Sequence, residues 1–141
     1  MLDLLEARRL LEADAAALAA QRRAPEHLAE LRDLIDAMTT CAGVDEFVEN
    51  DMAFHHTVAT AAGNSVLSKL LESLSGHTIR ARIWRGITEG GAIDRTIAEH
   101  RAICDAIERG SSELARAWMT AHLASVEAWL RQAVEPAHVP A

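Results

Sequence analysis

The chain is poor in residues that interrupt helices and in residues that favour strands. Its 141 residues include only 3 Pro, 7 Gly and 2 Phe, and no Tyr. Hydrophobic residues make up 50%, and Ala and Leu are the commonest of these. Ala, Leu, Arg and Glu are strong helix formers, whereas β-branched and aromatic residues favour strands. We therefore predict an all-α fold, an antiparallel bundle of about six helices around one core.

Three further scarcities each argue against a class of protein. Lys69 is the only lysine and the formal net charge is −7, so the chain lacks the basic surface that nucleic-acid binding requires. No apolar run approaches the roughly 20 residues that span a bilayer, and the charged first helix does not resemble a signal peptide. Two cysteines, Cys41 and Cys104, are too few for a disulfide framework. These features predict a cytoplasmic domain with reduced thiols and no membrane contact.

Hydrophobic periodicity, together with Pro, Gly and capping residues, predicts six helices. Their expected spans are about 2–23, 25–38, 45–62, 65–85, 94–109 and 112–134. The expected N-caps of the last four helices are, in order, Asp45, Asn64, Asp94, and Ser111 or Ser112. We assign residues 1–135 to the helical domain and expect residues 136–141, which contain two prolines, to form a flexible tail.

Three of the predicted helices carry ionisable side chains in the middle of their apolar faces. Residues at i, i+3, i+4 and i+7 share one face of an α-helix. By that spacing, Asp51 and His55 interrupt the apolar face of the third helix, while His100 and His122 interrupt those of the fifth and sixth. A hairpin about Gly110 places His100 and His122 at nearly one level. Asp51 and His55 reach about the same level through the fourth helix.

A shared metal ion would satisfy all four of these groups at once. Buried carboxylates and imidazoles are costly without partners, and imidazoles with one carboxylate suit Zn, Ni, Cu or Fe. Three histidines and one aspartate also leave an open position for water or a ligand. The alternative is a buried hydrogen-bonded network of the same residues without metal. Glu12 and Glu99 fall off the apolar faces, and His77 is ambiguous. We assign no role to the remaining histidines, His27, His56 and His138.

Three arginines also fall at or near inward-facing positions. Arg8 interrupts the apolar face of the first helix, Arg85 points inward in the fourth, and Arg82 lies at the edge of that face. Arg8 could instead pair with an internal Glu or Asp, and the other two could belong to a solvated helix end. Because guanidinium groups pair well with carboxylates, all three are candidate contacts for an anionic ligand.

Three segments, in this order, resemble the FCD domain, the C-terminal domain of the FadR subfamily of GntR-type bacterial transcription regulators. They are ARRLLEADAAALAA, NDMAFHHTVATAAGNSVL and IAEHRAICDAIERGSSELARAWMTAHL. The resemblance covers nearly the whole chain and implies a helical bundle that holds a divalent metal, commonly Zn or Ni. It implies Asp51, His55, His100 and His122 as the metal ligands. It further implies a small organic acid as effector beside the metal, with Arg8 as the arginine of the first helix.

The same resemblance bears on DNA binding and on catalysis. Members of that family usually carry an N-terminal winged helix-turn-helix domain that is absent from this sequence, so we expect DNA contact only through such an attached domain. The leading hypothesis is an effector-sensing, homodimeric domain of a transcription regulator that is not an enzyme. A small helical metalloenzyme, which activates water at the metal, is the alternative. A purely structural dimerising bundle is a third hypothesis.

Overall fold

The computed structural model describes residues 1–135, which form seven α-helices and no strand. In chain order the helices are α1 (Leu2–Arg22), α2 (Pro25–Thr40), α3 (Val44–Ala61), α4 (Ser65–Ser75), α5 (Ile79–Thr88), α6 (Ala92–Glu108) and α7 (Ser112–Val134). The prediction of an all-α bundle is confirmed. The predicted tail, residues 136–141, lies outside the described residues.

Two of the expected helix caps form and two do not. The Asn64 side chain accepts hydrogen bonds from two backbone N–H groups of the first turn of α4, each at 3.1 Å, and Ser111 caps α7. Asp45 and Asp94 are not N-caps, because the N-caps of α3 and α6 are Gly43 and Gly91, two and three residues earlier. Both aspartates instead lie in the first turn, where a carboxylate still faces the positive end of the helix dipole.

The predicted fourth helix is divided into two shorter helices. A 3-10 turn, Gly76–Thr78, separates α4 from α5. Glycine disfavours a helix interior by about 1 kcal/mol relative to alanine. The buried hydroxyl of Thr78 donates to the backbone oxygen of Ser75 at 2.8 Å and so competes with regular helical bonding. Arg82 and Arg85 both lie on α5, after this turn.

The long helices α1 and α7 run antiparallel and form the most extensive helix pair. Arg9 pairs with Glu127 at 2.9 Å, and Gln21, twelve residues further along α1, donates to Ser112 at 3.0 Å. The largest fully buried side chains, which form the core beside this pair, include Leu31, Met38, Phe54, Ile103, Ile107 and Met119. Trp118, which periodicity places on the inner face of α7, is 42% exposed because Ala115, Met119 and His122 fill that face.

Cys41 and Cys104 are both free thiols, and Cys104 is buried. Within residues 1–135, no helix has the length and apolar character needed to cross a membrane.

Candidate metal and effector site

Four buried side chains from three helices converge at the centre of the bundle. Asp51 and His55 project from α3, His100 from α6 and His122 from α7. One ligand atom from each lies within 4.8 Å of the corresponding atoms of the other three. The structure thus brings together the four residues that periodicity selected, because antiparallel packing places the middles of these helices at one level.

The spacing of these atoms suits a small cation. Oδ1 of Asp51 lies 3.3 Å from Nε2 of His100 and 3.6 Å from Nε2 of His55. The ring centroids of His55, His100 and His122 are 4.9 to 5.3 Å apart. Zinc binds imidazole nitrogen at about 2.0–2.1 Å, so tetrahedral ligands are separated by roughly 3.3 Å. The cluster can therefore close around one ion with small side-chain movements.

Several polar atoms of the cluster lack any hydrogen-bond partner among the described residues. They are Oδ1 of Asp51, Nε2 of His55 and both ring nitrogens of His100. A buried polar atom left unpaired costs about 1–3 kcal/mol. An unpaired carboxylate oxygen and unpaired imidazole nitrogens, grouped this closely, are the donor set that a transition-metal ion would satisfy. The residues present therefore fit the metal that the resemblance implies.

Two carboxylates outside the cluster hold two of its histidines. Glu12 on α1 is buried and contacts Nδ1 of His55, and Oε2 of Glu99 lies 2.5 Å from Nδ1 of His122. When Nδ1 donates its hydrogen to a carboxylate, Nε2 carries the lone pair, and this is the usual arrangement of histidines that bind metals. The interpretation of Glu12 as a residue off the inner face is wrong, because Glu12 is buried. Glu99 does lie beside the inner face of α6, but it contacts a histidine of α7.

Only one of these two carboxylates could have been recognised from the spacing of residues in the sequence. Glu12 follows Arg8 by four residues, so the two share a face of α1, and Arg8 already interrupts the apolar stripe of that helix. Glu99 precedes His100 and points about 100° away from it, toward α7. No spacing within α6 identifies its partner.

The histidine of α6 is held differently. His100 is fully buried and its ring stacks on Phe54, with centroids 3.9 Å apart and planes 6° from parallel. The Phe54 ring thus fixes the plane of the imidazole, while both its nitrogens are free of hydrogen bonds within residues 1–135.

Burial and neighbouring charges set the protonation states of the cluster. Burial lowers the pKa of His100 well below its ordinary value, and His122 reinforces this; burial also lowers the pKa of His122. Burial by itself would raise the pKa of Asp51, but Arg82 and the histidines hold it well below its usual range. Neutral imidazoles and an ionised carboxylate are the forms that bind a metal.

The pKa of His55 shifts in the opposite direction. Burial by itself would lower it, but the carboxylates of Glu12 and Asp51 outweigh burial and raise the pKa. Without a cation, His55 is therefore the ring of the cluster most readily protonated. A metal ion would take the place of that proton and its charge.

The three candidate arginines all lie inside the protein. Arg8 is 3% exposed and Arg85 is 6% exposed, and the side chain of Arg82 is 9% exposed. The three side chains line one small cavity of about 40 Å³ together with Asp51 and His122. The alternative of a solvated helix end does not hold for Arg82 and Arg85, because α5 turns both into the bundle.

The three arginines differ in how far they are already paired. Arg8 donates from Nε to Glu12 at 2.6 Å, and Arg82 donates from Nη1 to Asp51 and from Nε to Thr78. Arg85 donates from Nε to Glu89 at 2.5 Å. Nη2 of Arg8 and Nη2 of Arg82 have no hydrogen-bond partner in the described part of the chain. Two buried guanidinium groups therefore retain donors beside this cavity.

A second and larger cavity lies on another side of the cluster. Its volume is about 320 Å³, and Arg82 and His55 line it as well. Much of the remaining wall is apolar and comes from α3 and α4, through Met52, Ala53, Ala59 and Leu71. Arg82 is common to both cavities.

The described chain is a helical bundle with a buried Asp–His₃ cluster at its centre, flanked by arginines and two cavities. Residues 3–125 match the family model of the FCD domain. The chain therefore belongs to the FCD family, as the sequence resemblance predicts.

Relatives by sequence are bacterial transcription regulators. Over 130 residues the chain is 35% identical to the HTH-type transcriptional regulator LutR of Bacillus subtilis (strain 168), covering 88% of the chain and 59% of LutR. It is 33% identical over 103 residues to an uncharacterised HTH-type regulator in an unstable DNA locus of Streptomyces ambofaciens, covering 72% of the chain and 43% of that protein. The chain thus spans about half the length of these relatives.

Solved structures give the same assignment of fold. A GntR protein of Streptococcus agalactiae superposes with a TM-score of 0.78 at 27% identity, covering 91% of the chain and 58% of that protein. McbR/YncC of E. coli superposes with a TM-score of 0.78 at 18% identity over 93% of the chain and 64% of that protein, a likeness of fold alone.

Proposed function

We propose that this chain is the effector-sensing and dimerising domain of a GntR-type transcription regulator of the FadR subfamily. A divalent metal would bind Asp51, His55, His100 and His122, and a small organic acid would bind Arg8, Arg82 and Arg85. The observation that carries the proposal is the convergence of buried, unpaired ligand atoms at one point. Family membership and the regulator relatives support the role in transcription.

We expect zinc or nickel, the metals that the family resemblance implies, to bind this donor set. Imidazole nitrogens suit Zn, Ni, Cu and Fe, and the single carboxylate compensates part of the charge of a divalent ion. A bound ion would act as a Lewis acid to which a carboxylate can dock. The surrounding residues orient the ligands, because Glu12 and Glu99 hold two rings and Phe54 packs against the third.

The expected effector is a small carboxylate. Arg8 and Arg82 each have a buried Nη2 without a partner in residues 1–135, and guanidinium pairs with carboxylate in a two-pronged arrangement. The cavity of about 40 Å³ has room for a carboxylate group, and the larger, partly apolar cavity beyond Arg82 has room for the rest of an organic molecule. Both cavities meet at Arg82, so one ligand could use both.

Binding would be transmitted through α1 and α5. Arg8 lies on α1 and Arg82 on α5, so an anion held by both would fix the position of these two helices relative to each other. We expect this change to alter DNA binding by an attached winged-helix domain, in the cytoplasm where the DNA lies. The chain itself would not contact DNA, since its formal net charge is −7.

The metal and effector hypotheses are tested together by elemental analysis of the purified protein, followed by thermal-shift measurements with organic acids. We expect bound zinc or nickel, and a carboxylate that raises Tm in metal-loaded protein and has less effect after chelation. Equal carboxylate binding by metal-free protein would contradict docking on the metal. Absence of bound metal, even after incubation with zinc or nickel, would contradict the metal site itself.

The metalloenzyme alternative is less well supported by the arrangement of carboxylates. A hydrolytic site needs a free base near the metal-bound water, and the two nearby carboxylates, Glu12 and Glu99, are already engaged with histidines. We therefore expect no turnover of ester or phosphate substrates by the metal-loaded protein. Turnover that is lost in His100→Ala would favour an enzyme.

We propose a homodimer that packs through the exposed face of α7. Leu114 and Trp118 are 47% and 42% exposed on this face. The rest of the face is made of exposed alanines, Ala117, Ala121, Ala124 and Ala128. Two antiparallel copies centred on Ala121 would place Trp118 of one against Ala124 of the other. Glu113 and Arg131, at opposite ends of the helix, would then approach each other across the interface.

The dimer face is tested by sedimentation velocity. We expect a dimer for the native chain and a monomer for Ala121→Arg, because two guanidinium groups would meet at the symmetry axis. Ala29→Arg is the matched control on the exposed side of α2, and it should stay dimeric. A dimeric Ala121→Arg protein would show that another face is used.

A further inference from the structure

Glu12 contacts both parts of the proposed site. It is 5% exposed and both of its oxygens are engaged. Oε1 accepts a hydrogen bond from Nε of Arg8 at 2.6 Å, and Oε2 contacts Nδ1 of His55. One carboxylate of α1 therefore joins a candidate anion-binding arginine to a candidate metal ligand.

The outer side of Arg8 remains available. Arg8 is 3% exposed, lines the cavity of about 40 Å³, and its Nη2 has no partner in the described part of the chain. An anion in that cavity and the carboxylate of Glu12 would share the charge of a single guanidinium group. Each would weaken the hold of Arg8 on the other.

We propose that Glu12 is a positioning residue that couples anion binding at Arg8 to metal binding at His55. The proposal rests on the proposed function of the site. An anion that draws on Arg8 leaves Glu12 freer to accept the Nδ1–H of His55, and a stronger outer hydrogen bond makes Nε2 a better metal ligand. Anion and metal then strengthen each other's binding by the same factor.

Glu99 provides a control built into the fold. It contacts Nδ1 of His122 at 2.5 Å, as Glu12 contacts His55, but it makes no ion pair with an arginine within residues 1–135. Loss of Glu99 removes an outer hydrogen bond without cutting a link to the anion. Loss of Glu12 removes both.

The test compares the native chain with Glu12→Gln and Glu99→Gln. The Zn²⁺ affinity is measured by competition with a chromogenic chelator, with and without a fixed high concentration of acetate. Both variants should bind Zn²⁺ about 10- to 100-fold more weakly, the usual cost of losing an outer carboxylate. Acetate should tighten Zn²⁺ binding about fivefold or more in the native chain and in Glu99→Gln, and distinctly less in Glu12→Gln.

A second readout reports on the ring itself. In the metal-free protein, at a pH high enough for His55 to be neutral, ¹⁵N spectra of the imidazoles should show the remaining proton of His55 on Nδ1 in the native chain. In Glu12→Gln that preference should be lost, while His122 keeps its state. A residue that merely stabilises the fold would not change one ring alone.

The outcomes separate this proposal from the proposed function. If the native chain binds no Zn²⁺, the proposed function fails. If Zn²⁺ binds and acetate has the same effect in Glu12→Gln as in Glu99→Gln, only the link through Glu12 fails.

Should circular dichroism show that Glu12→Gln does not fold, Arg8→Lys tests the same link. Lysine offers one point charge in place of the two-sided fork, so Zn²⁺ affinity should persist while the acetate effect falls. An unchanged acetate effect in Arg8→Lys would overturn the proposal.

Discussion

Three histidines of the same cluster are held in two different ways. His55 and His122 each have a carboxylate on Nδ1, whereas His100 has no hydrogen bond within the described residues and stacks on Phe54. Hydrogen bonds fix which nitrogen of a ring is free, but an aromatic stack fixes only the plane of the ring. His100 therefore depends on the metal itself to select its nitrogen and to satisfy it.

Because of this difference, the proposed coupling between anion binding and metal binding involves the His55 side of the cluster. The carboxylate that holds His55 comes from α1, which also carries Arg8, while Phe54 and His100 belong to the packed core. Changes in the ligand cavity can reach His55 through polar contacts. They can also approach His100 through Asp51, whose Oδ1 lies 3.3 Å from Nε2 of that ring, but the plane of the ring is held by core packing, which resists small displacements.

The largest expected effect comes from removing His100, the histidine without a carboxylate hydrogen-bonded to Nδ1. His100→Ala should lose more than the 10- to 100-fold in metal affinity that an outer carboxylate contributes, because it removes a direct ligand. Metal should then no longer raise Tm, and chelator competition together with thermal unfolding would measure both effects. His56→Ala, an exposed neighbour of His55, is the control and should bind metal normally.

Breaking the stack tests the packing side of the comparison. Phe54 is fully buried, and truncating a buried phenylalanine costs about 3–5 kcal/mol of unfolding free energy. We expect Phe54→Ala to lose stability in this range in chemical denaturation of metal-free protein, and to bind metal more weakly. Should metal affinity stay unchanged in a folded variant, the stack would play no part in orienting His100.

Removing a carboxylate tests the hydrogen-bonded side. The Glu99 side chain is 19% exposed, so Glu99→Gln should cost little in the unfolding free energy of metal-free protein. Its metal affinity should fall about 10- to 100-fold, measured by chelator competition. In Phe54→Ala, by contrast, the main expected loss is in unfolding free energy. The two variants together therefore separate orientation of a ring by hydrogen bonding from orientation by packing.

The smallest expected effect is the dependence of stability on pH. In metal-free protein the pKa values of His100 and His122 are lowered from 6.5, chiefly by burial. The unfolded chain then binds more protons than the folded one, so these two rings reduce the unfolding free energy as pH falls through about 6.5. His55 has the opposite sign: its pKa is raised, so its contribution is fully present below 6.5 and is lost as pH rises through the raised value.

Denaturation in the presence of a chelator, at pH values on both sides of 6.5, measures these contributions. Compared with the native chain, His122→Asn should lose less stability on acidification, and His55→Asn should lose more. The same slope in both variants would mean that hydrogen bonding to Glu12 and Glu99 does not distinguish the two rings.

Much of the site could be predicted because each helix records its own inner face. The 3.6-residue period shows that Asp51, His55, His100 and His122 interrupt apolar stripes, and a short turn fixes the relative level of neighbouring helices. The same reasoning fails for Trp118. Periodicity gives the direction of a side chain around its own helix axis, but it does not give how much of the helix surface the neighbouring helices cover. It fails also at Gly76–Thr78, where a 3-10 turn divides one predicted helix into two.

The sequence by itself determined the helical class, the approximate helix bounds and the four polar residues aimed at the core, since these follow from local propensity and periodicity. Only the tertiary structure decided the partners of those residues. Glu12 reaches His55 from α1 and Glu99 reaches His122 from α6, while Arg82 of α5 donates to Asp51 of α3. The reason is physical: a side chain's face depends on its own helix, whereas its partner depends on how two helices cross.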